Sequence, residues 1–340
     1  MFKGGLAEPK LTVLALGSWG TALAEHLARA GRDVLGWTKS GEIAETINNH
    51  HRNPCYLREC ALSPRLIATT DLNEALKRDI IILATPSSAL AEFAEIFVVA
   101  PGNFIIVSAV KGLEPNSLMT PLQFLKSKGI AENRLAVLSG PSFAVDVAAL
   151  RPVGVVSASA DGRLAEQVGR IFTANFLRAY FSDDPLGVEL GGIVKNVIAI
   201  AAGVSDALGF GESARAGLVT RGLAEMMRLA RCLGAKPLTL CGLSGLGDLS
   251  MTVTSDLSRN RQVGLRLGAG EPLDKIIGDL GTVAEGIYST PLIEKLSFEL
   301  QVEMPITRQV ARLLRGEADP RVMAEELIRR SPKYEFAENF

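Results

Sequence analysis

The sequence predicts an α/β fold with a doubly wound, parallel-rich sheet in the N-terminal part, followed by an all-α part. Three observations support this prediction. Short, nearly continuous apolar runs alternate with helical patterns through the first half of the chain, which is typical of parallel strands joined by helices. After about residue 185 the helical patterns continue without a convincing strand. The length of 340 residues is about twice that of a common domain.

The predicted strands of the first part are almost wholly apolar, as strands covered on both faces should be. They lie at 11–16, 33–37, 66–69, 80–84, 104–109, 135–139 and 153–158. Helical patterns lie between several of these strands, at 21–30, 87–98 and 117–128. Residues 48–64 have the composition of a long irregular loop.

The second part is predicted to contain helices only. Its helical patterns lie at 188–208, 213–233, 261–267, 290–300, 307–314 and 321–330. The run Asp183-Asp184-Pro185 breaks the pattern and places the boundary nearby. We therefore predict one domain at 1–186, a second at 187–330 and a flexible tail at 331–340.

Composition excludes several classes of protein. The 36 Lys and Arg residues nearly balance the 37 Asp and Glu residues, so binding through nucleic-acid phosphates or to anionic membranes is not expected. The four cysteines form no C-x-x-C pair, which fits a reducing compartment. No secretory signal is visible near the N-terminus. The most apolar helical stretch, 193–204, is interrupted by Lys195 and Asn196, whereas a membrane span needs about 20 apolar residues. We expect a cytoplasmic protein.

Histidine is scarce, and this limits the chemistry available to the chain. The three histidines, His26, His50 and His51, all lie near the N-terminus. Acid–base chemistry in the C-terminal half must therefore use Lys, Asp, Glu or Tyr. The spacing of the His50-His51 pair to Cys55 and Cys60 matches no zinc pattern, and we predict no metal site.

A glycine-rich turn follows the first predicted strand. Residues 15–20 read ALGSWG and lead directly into a helical pattern, which is the context of the dinucleotide fingerprint G-x-G-x-x-G. Gly17 would let the backbone approach a pyrophosphate, and Gly20 would let the helix pack close to the strand. Free N–H groups at the helix start would hold the phosphates. The turn therefore predicts a Rossmann-type domain, with a plain strand–turn–helix as the alternative.

Ala15 stands where the fingerprint has its first glycine. We predict a negative φ for Ala15, because a methyl group is then accommodated at little cost.

The end of the second strand bears on the choice of cofactor. An acidic residue usually lies there and binds the ribose 2′-hydroxyl of NAD, but this chain has Lys39 in that place. A lysine would favour the 2′-phosphate of NADP. We therefore expect NADP(H) to be preferred. NAD(H) stays possible because Glu42 is near, and Lys39 as a solvated loop residue is the alternative interpretation.

Two lysines are candidates for chemistry. Lys195 lies in the run GGIVKNVIAI, where apolar residues surround it on nearly every helical face. A lysine in such a helix must be paired or desolvated, and desolvation lowers its pKa. The alternative is that the aliphatic stem of Lys195 is buried while its ammonium group reaches the solvent. Asn196 adds a second polar group beside it. Lys111 follows a strand and precedes a glycine, which suggests a close approach to a ligand.

Two further segments carry polar groups suited to a substrate. The segment SGPSFA at 139–144 follows a strand end, where ligands bind in open α/β sheets. Asp248 lies in a glycine-rich loop and could orient a lysine or bind a substrate hydroxyl. Ser258 is suited to cap the following helix, and Arg259 offers a planar donor fork for a phosphate, although paired arginines near a helix start are often only solvated.

These segments together resemble the NAD(P)-dependent glycerol-3-phosphate dehydrogenases of the bacterial soluble type. The resemblance covers roughly residues 11–327. Its marks are, in chain order, GSWGTALA, VKGLE, SGPSFA, LGGIVKNVIAIAAG, GLGDL, SRNR, VAEG and EMPIT. Two positions depart from the family pattern: the family normally has glycine in place of Ala15, and it often has arginine or histidine in place of Lys39.

The resemblance implies a reversible reduction of dihydroxyacetone phosphate to sn-glycerol 3-phosphate with NADH or NADPH, which supplies glycerophospholipid synthesis. Together with the residue patterns described above, it predicts a set of site residues. The catalytic residues would be Lys195 as general acid and base, with Lys111, Asp248 and Asn196. The cofactor would contact Gly17, Ser18, Trp19, Gly20, Lys39, Lys111, Ala144, Arg259, Val283 and Glu285. The substrate would contact Lys111, Gly140, Ser142, Lys195, Asp248, Thr252, Ser258, Arg259 and Asn260.

Two other functions stay open from the residues alone. One is a hydroxyacid dehydrogenase of the same architecture, which would bind a carboxylate where the phosphate is expected. The other is a non-catalytic NADP(H)-binding sensor, which Ala15 favours and the set Lys195, Asp248 and Arg259 opposes. As partners we expect a small-molecule substrate and a second copy of the chain in a homodimer, with no nucleic acid and no membrane insertion.

Overall fold

The computed structural model describes residues 8–281, 283–332 and 334–335. The chain divides into two compact units. The first comprises the described residues up to Val110 together with Pro121–Pro185, and the second comprises Lys111–Thr120 and the described residues from Leu186 onward. The segment Lys111–Thr120 thus belongs to the helical unit, whereas the sequence prediction placed all of 1–186 in one domain.

The described part of the first unit contains an eight-stranded sheet in the order β3-β2-β1-β4-β5-β6-β7-β8. The strands are β1 (Leu11–Leu14), β2 (Val34–Trp37), β3 (Ile67–Thr69), β4 (Ile80–Leu83), β5 (Ile105–Ser108), β6 (Leu135–Ser139), β7 (Val153–Ala158) and β8 (Leu177–Ser182). Neighbouring strands from β3 to β6 pair in parallel. The β6–β7 pair is antiparallel, and β7–β8 is parallel again. The prediction of a parallel-rich sheet is confirmed.

The apolar content of the strands explains their position. Every residue of β1 and of β4 is buried, as expected for central strands of a sheet covered on both faces. Strand β8 was not predicted from the sequence. It lies at the edge of the sheet and alternates buried Leu177 and Ala179 with exposed Arg178 and Tyr180, so it lacks the continuous apolar run that marked the other strands.

The helices of the first unit are α1 (Ser18–Arg29), α2 (Gly41–His50), α3 (Leu72–Ala75), α4 (Leu90–Val99), α5 (Pro121–Ser127), α6 (Ala144–Ala148) and α7 (Gly162–Phe172). Short 3-10 turns lie at Ser87–Ala89 and Glu132–Arg134. The predicted helix at 117–128 begins four residues late, at Pro121. The side chain of Glu114 accepts hydrogen bonds from Ser117 N and Oγ, both at 2.7 Å, and this holds the preceding residues in a turn.

Helices form the second unit, and no strand occurs among its described residues, as predicted. They are α8 (Pro185–Ala207), α9 (Gly211–Cys232), α10 (Asp248–Thr254), α11 (Arg259–Gly268), α12 (Leu273–Leu280), α13 (Glu285–Glu299), α14 (Pro305–Leu314) and α15 (Pro320–Ile328). A 3-10 segment at Pro237–Cys241 and a π-helical turn at Leu243–Gly247 precede α10. Of the tail predicted at 331–340, residues 333 and 336–340 lie outside the described residues.

Helix α8 is the centre of the second unit. It is buried from Gly187 to Ile200 without interruption and contributes much of the hydrophobic core. In length and composition this helix would suffice to cross a membrane, but its most apolar window is entirely buried inside the protein. Helix α11 packs directly on α8, because a Cβ on Gly264 would lie 2.0 Å from the carbonyl oxygen of Ile200. This close contact fixes the middle of α11 relative to α8.

Candidate functional site

The glycine-rich turn of the first unit has the geometry of a nucleotide loop. Strand β1 ends at Leu14, and Gly17 is the N-cap of α1. A Cβ on Gly20 would lie 1.9 Å from the carbonyl oxygen of Ala15, so only glycine permits this approach of helix to strand. A Cβ on Gly17 would meet nothing within 4 Å. The protein's own packing does not require that glycine, and the space beside it is available to a ligand.

The predicted conformation of Ala15 is wrong. Its φ is +73°, in the left-handed region that favours glycine. The chain must turn sharply from β1 into α1, and Ala15 N is held by a hydrogen bond of 3.0 Å to the carbonyl oxygen of Trp37. The turn therefore keeps the conformation that the first fingerprint glycine normally provides, with an alanine under strain.

Five buried polar atoms of the first unit have no hydrogen-bond partner within the described structure. Besides Arg32 Nε and His51 Nδ1, they are Trp19 Nε1, Thr85 Oγ1 and Ser139 Oγ. Trp19 lies in the first turn of α1, Thr85 follows β4, and Ser139 is the last residue of β6. These positions share the carboxyl edge of the parallel strands, where ligands bind in open α/β sheets. Because buried polar groups are normally paired, the residues present fit a polar ligand such as a dinucleotide.

Lys39 follows strand β2, as the sequence predicted. Its Nζ lies 3.0 Å from Oε1 and 3.2 Å from Oε2 of Glu92 on α4. Both side chains are more than half exposed. Lys39 is thus a solvated residue with an ion-pair partner from a distant part of the sequence.

The segment after β6 forms a tight turn. Gly140 has a φ of +142°, and a Cβ there would lie 3.0 Å from the carbonyl oxygen of Gly154. The hydroxyl of Ser142 donates a 3.0 Å hydrogen bond to the carbonyl of Gly140. Ala144 is the first residue of α6. Gly140, Ser142 and Ala144 therefore lie in the first unit at the end of a parallel strand.

The second unit holds a buried charge cluster formed by Lys195, Asp248, Lys111 and Thr252. Lys195 Nζ donates to Asp248 Oδ1 and, at 2.9 Å, to Thr252 Oγ1. Lys111 Nζ donates to the other oxygen of Asp248 at 2.8 Å. Asp248 is fully buried, and the side chain of Lys195 is 7% exposed, which rules out the interpretation of Lys195 as a lysine reaching the surface. Lys111 is 21% exposed and forms the outer side of the cluster.

Local structure explains why these side chains meet. Lys195 lies in the buried middle of α8, and Asp248 is the first residue of α10. A Cβ on Gly191 would lie 2.4 Å from the carbonyl oxygen of Ser244, so the π-helical turn before α10 lies against the backbone of α8. The absence of a side chain at Gly191 brings Asp248 within reach of Lys195, one turn further along α8.

Burial and neighbouring charges perturb both groups. Burial is the main cause that lowers the pKa of Lys195 to about 8; Asp248 opposes this effect and Lys111 adds to it. Burial would raise the pKa of Asp248, but the positive charges of Lys111 and Lys195 and their hydrogen bonds bring it below its ordinary value. Asp248 is therefore ionised at neutral pH, and Lys195 is a lysine that can exchange its proton near neutral pH.

Asn196 and Asn260 form a second polar chain beside the cluster. Asn260 Nδ2 donates to Asn196 Oδ1 at 2.9 Å, and Asn260 Oδ1 accepts from Gly286 N at 2.9 Å. Asn196 also donates to the carbonyl of Gly192 at 3.4 Å. The structure thus ties Asn196 to the starts of α11 and α13, whereas the sequence suggested that it would orient Lys195 or the substrate.

The start of α11 carries the remaining predicted substrate residues. Ser258 is the N-cap, and its Oγ accepts from Arg261 N at 3.2 Å, as its predicted capping role requires. Arg259, the first residue of α11, is exposed. Val283 is 41% exposed, and Glu285 begins α13. All of these residues lie in the second unit.

Sequence reasoning missed two residues of these sites. Thr85 lies two residues after strand β4, so a search near every strand end for polar residues would have found it. Glu92 lies 53 residues from Lys39 in the sequence and on a helix, so no local pattern connects the two. Among the described residues, no group of three or more His, Cys, Asp or Glu side chains could hold a metal ion.

Comparison with known proteins assigns the family. Residues 10–165 match the family model for the N-terminus of NAD-dependent glycerol-3-phosphate dehydrogenase, and residues 184–325 match the model for its C-terminus. The chain belongs to the NAD-dependent glycerol-3-phosphate dehydrogenase family.

Relatives in this family match along nearly their whole length. A glycerol-3-phosphate dehydrogenase [NAD(P)+] from Nitratidesulfovibrio vulgaris is 46% identical over 330 residues, covering 96% of this chain and all of the relative. One from Geobacter metallireducens is 44% identical over 333 residues, covering 96% of this chain and 98% of the relative. The crystal structure of the glycerol-3-phosphate dehydrogenase from Coxiella burnetii is 37% identical, has a TM-score of 0.90, and covers 95% of this chain and 99% of its own. The resemblance found in the sequence is confirmed.

Proposed function

We propose that the protein reduces dihydroxyacetone phosphate reversibly to sn-glycerol 3-phosphate with NAD(P)H. The observation that carries this proposal is the buried Lys195, whose ammonium is held by Asp248 and Thr252 and whose pKa is lowered to about 8. Reduction of a ketone needs a proton donor for the developing alkoxide. The chain's membership of the glycerol-3-phosphate dehydrogenase family identifies the ketone.

Lys195 supplies the proton. Its Nζ carries the proton in the resting state and donates it to the C2 oxygen of the substrate as negative charge develops there. A lysine with an ordinary pKa near 10.4 would release this proton less readily. The burial that lowers the pKa of Lys195 therefore brings the donor closer to working pH. In the reverse direction the neutral amine accepts the proton from the alcohol.

Asp248 holds the two lysines in place. One carboxylate oxygen accepts from Lys195 and the other from Lys111, so both ammonium groups converge on one anion. We assign to Lys111, which is partly exposed while Asp248 is fully buried, the addition of positive charge beside the developing alkoxide. Asp248 acts through the lysines as a positioning residue.

The start of α11 is proposed as the phosphate-binding part of the substrate site. The first N–H groups of a helix attract anions, and Arg259 adds a guanidinium fork suited to phosphate oxygens. The bonds from Asn260 to Asn196 and to Gly286 N hold this turn beside α8. The roles of Gly140, Ser142, Thr252 and Ser258 toward the substrate, and of Val283 and Glu285 toward the cofactor, are part of the same proposal.

The first unit is proposed to bind the dinucleotide through the turn at Gly17 and Gly20, with Ser18, Trp19 and Ala144 as further contacts. When bound, the nicotinamide supplies the hydride that C2 of the substrate receives. The unpaired Trp19 Nε1–H and the helix start at Ser18 provide donors for the dinucleotide. Lys39 favours NADPH through its charge.

Several wider features complete the proposal. The first unit provides most of the proposed cofactor contacts, and the second unit provides most of the proposed substrate contacts. The enzyme works as a homodimer in the cytoplasm, and its product supplies glycerophospholipid synthesis. These features fit the family and the buried position of the apolar helix α8.

The direct test follows the oxidation of NADPH and of NADH at 340 nm with dihydroxyacetone phosphate as the other substrate. We expect turnover with both cofactors. When each cofactor is at a limiting concentration, the rate should be faster with NADPH than with NADH. A 3-hydroxyacid and its oxidised form serve as the matched comparison. Turnover of the hydroxyacid with NAD(P)+, or of its oxidised form with NAD(P)H, without turnover of dihydroxyacetone phosphate would contradict the proposal and favour a hydroxyacid dehydrogenase.

A further inference from the structure

A pair of opposite charges lies where the adenosine ribose of a dinucleotide is expected. In Rossmann-type domains an acid at the end of the second strand binds the ribose 2′-hydroxyl. Here the end of β2 provides Lys39, and the acid comes from helix α4 as Glu92, with both of its oxygens within 3.2 Å of the lysine Nζ.

The neighbouring aromatic residues fix the position of this pair. Trp37, the last residue of β2, contacts Phe93 on α4 edge to face, with ring centroids 5.7 Å apart. Both rings are buried, and Trp37 Nε1 donates a 3.1 Å hydrogen bond to the carbonyl of Thr70. The backbone of α4 is therefore held beside the end of β2. Glu92 precedes Phe93 on α4, so its carboxylate is held beside the end of β2.

We propose that Glu92 is a specificity-determining residue that, together with Lys39, lets the protein accept both NADH and NADPH. With NADH, the Glu92 carboxylate accepts a hydrogen bond from the ribose 2′-hydroxyl, as the strand-end acid does elsewhere. With NADPH, Lys39 leaves Glu92 and pairs with the 2′-phosphate. The inference rests on the proposed binding of a dinucleotide by the first unit.

The energetics of the pair suit such an exchange of partners. Lys39 and Glu92 are 67% and 52% exposed, and an exposed ion pair adds little stability. Lys39 can therefore change its partner without loss of fold. The same carboxylate repels a 2′-phosphate, so Glu92 reduces the preference for NADPH that Lys39 alone would give.

The test measures the Kd of NADPH and of NADH by quenching of tryptophan fluorescence, without substrate. For Glu92→Gln we expect NADPH to bind roughly two- to fivefold more tightly and NADH to bind more weakly by a similar factor, the range for exposed charges. Glu95→Gln is the matched control, because it removes the same charge from an exposed position on α4. Lys39→Gln should weaken NADPH binding and spare NADH.

Two outcomes at a single salt concentration would overturn the inference. One is a ratio of the two Kd values in Glu92→Gln that stays within about twofold of the wild type. The other is an equal shift in Glu95→Gln, which would show that only net charge matters. Raising the salt from about 0.1 to about 1 M should reduce the gain in NADPH affinity, since screening weakens exposed charges; a gain independent of salt would also contradict the inference.

Turnover of dihydroxyacetone phosphate is measured on the same variants. An unchanged Kd ratio with turnover intact would refute the role of Glu92 and leave the proposed function standing. A shifted ratio without turnover would support the role of Glu92 and count against the proposed reaction.

Discussion

Replacing Ala15 with glycine should stabilise the first unit. Ala15 has a φ of +73°, and the left-handed region costs an L-residue such as alanine roughly 1–2 kcal/mol. Glycine adopts it freely, but it loses roughly 0.4–1 kcal/mol through the greater freedom of the unfolded chain. The difference between these two terms predicts that the free energy of unfolding rises by about 1 kcal/mol. For a unit of this size, that gain raises Tm by roughly 2–4 °C.

The shape of the loop should stay the same, because Ala15 already has the conformation that glycine would adopt. A ligand gains affinity only if the substitution raises the population of the competent loop. We therefore expect the Kd of NADPH to change by less than about threefold. A tenfold gain would show that the alanine loop spends most of its time in another conformation.

Calorimetry or urea unfolding of Ala15→Gly measures the stability. Ala22→Gly in α1 is the control, since Ala22 lies inside a regular helix, where glycine costs roughly 0.5–1 kcal/mol. Gly20→Ala should destabilise strongly, because its Cβ would lie 1.9 Å from the carbonyl oxygen of Ala15. A lower Tm for Ala15→Gly would refute the reasoning and indicate a negative φ for Ala15 in solution.

Two further predictions concern catalysis. Arg259→Ala should raise KM for dihydroxyacetone phosphate with a smaller change in kcat, because the guanidinium would hold the phosphate. Steady-state kinetics measures both constants. An unchanged KM would show that the phosphate binds elsewhere. The rate of reduction should fall as pH rises through about 8, since Lys195 must be protonated to donate. The rate of glycerol 3-phosphate oxidation should rise over the same range, because this direction needs the neutral amine. If kcat changes with pH in the same sense for both directions, the assignment of Lys195 is contradicted.

The parts of the fold that follow from continuous apolar runs could be predicted from the sequence. Strands β1 and β4 are buried at every position; β4 is apolar throughout, and Thr12 is the one polar residue in β1. Strand β8 could not be recognised in this way, because only one face of this edge strand is buried. The conformation of Ala15 was also out of reach, since its sign of φ depends on how β1 and α1 are joined.

In the candidate site, too, some features could be predicted from the sequence and others could not. The burial of Lys195 could be predicted because its neighbours on α8 are apolar. Its partners could not be established, since Asp248 lies 53 residues away and Lys111 is separated from Asp248 by 137 residues. The close approach of the turn near Ser244 to Gly191 brings Asp248 within reach of Lys195. Ion pairs between distant elements, such as Lys39 with Glu92, leave no periodic signal in the sequence.

The most direct test of the central claim compares kcat for dihydroxyacetone phosphate reduction in the wild type and in Lys195→Met, with the Kd of NADPH measured on both. Methionine keeps most of the volume of the lysine stem but has no proton to donate. The account predicts a loss in kcat of roughly 10²–10⁴-fold, as for other general acids, with NADPH binding nearly unchanged because Lys195 is not among the residues proposed to contact the cofactor. A kcat within a few-fold of the wild type would contradict the claim that Lys195 donates the proton.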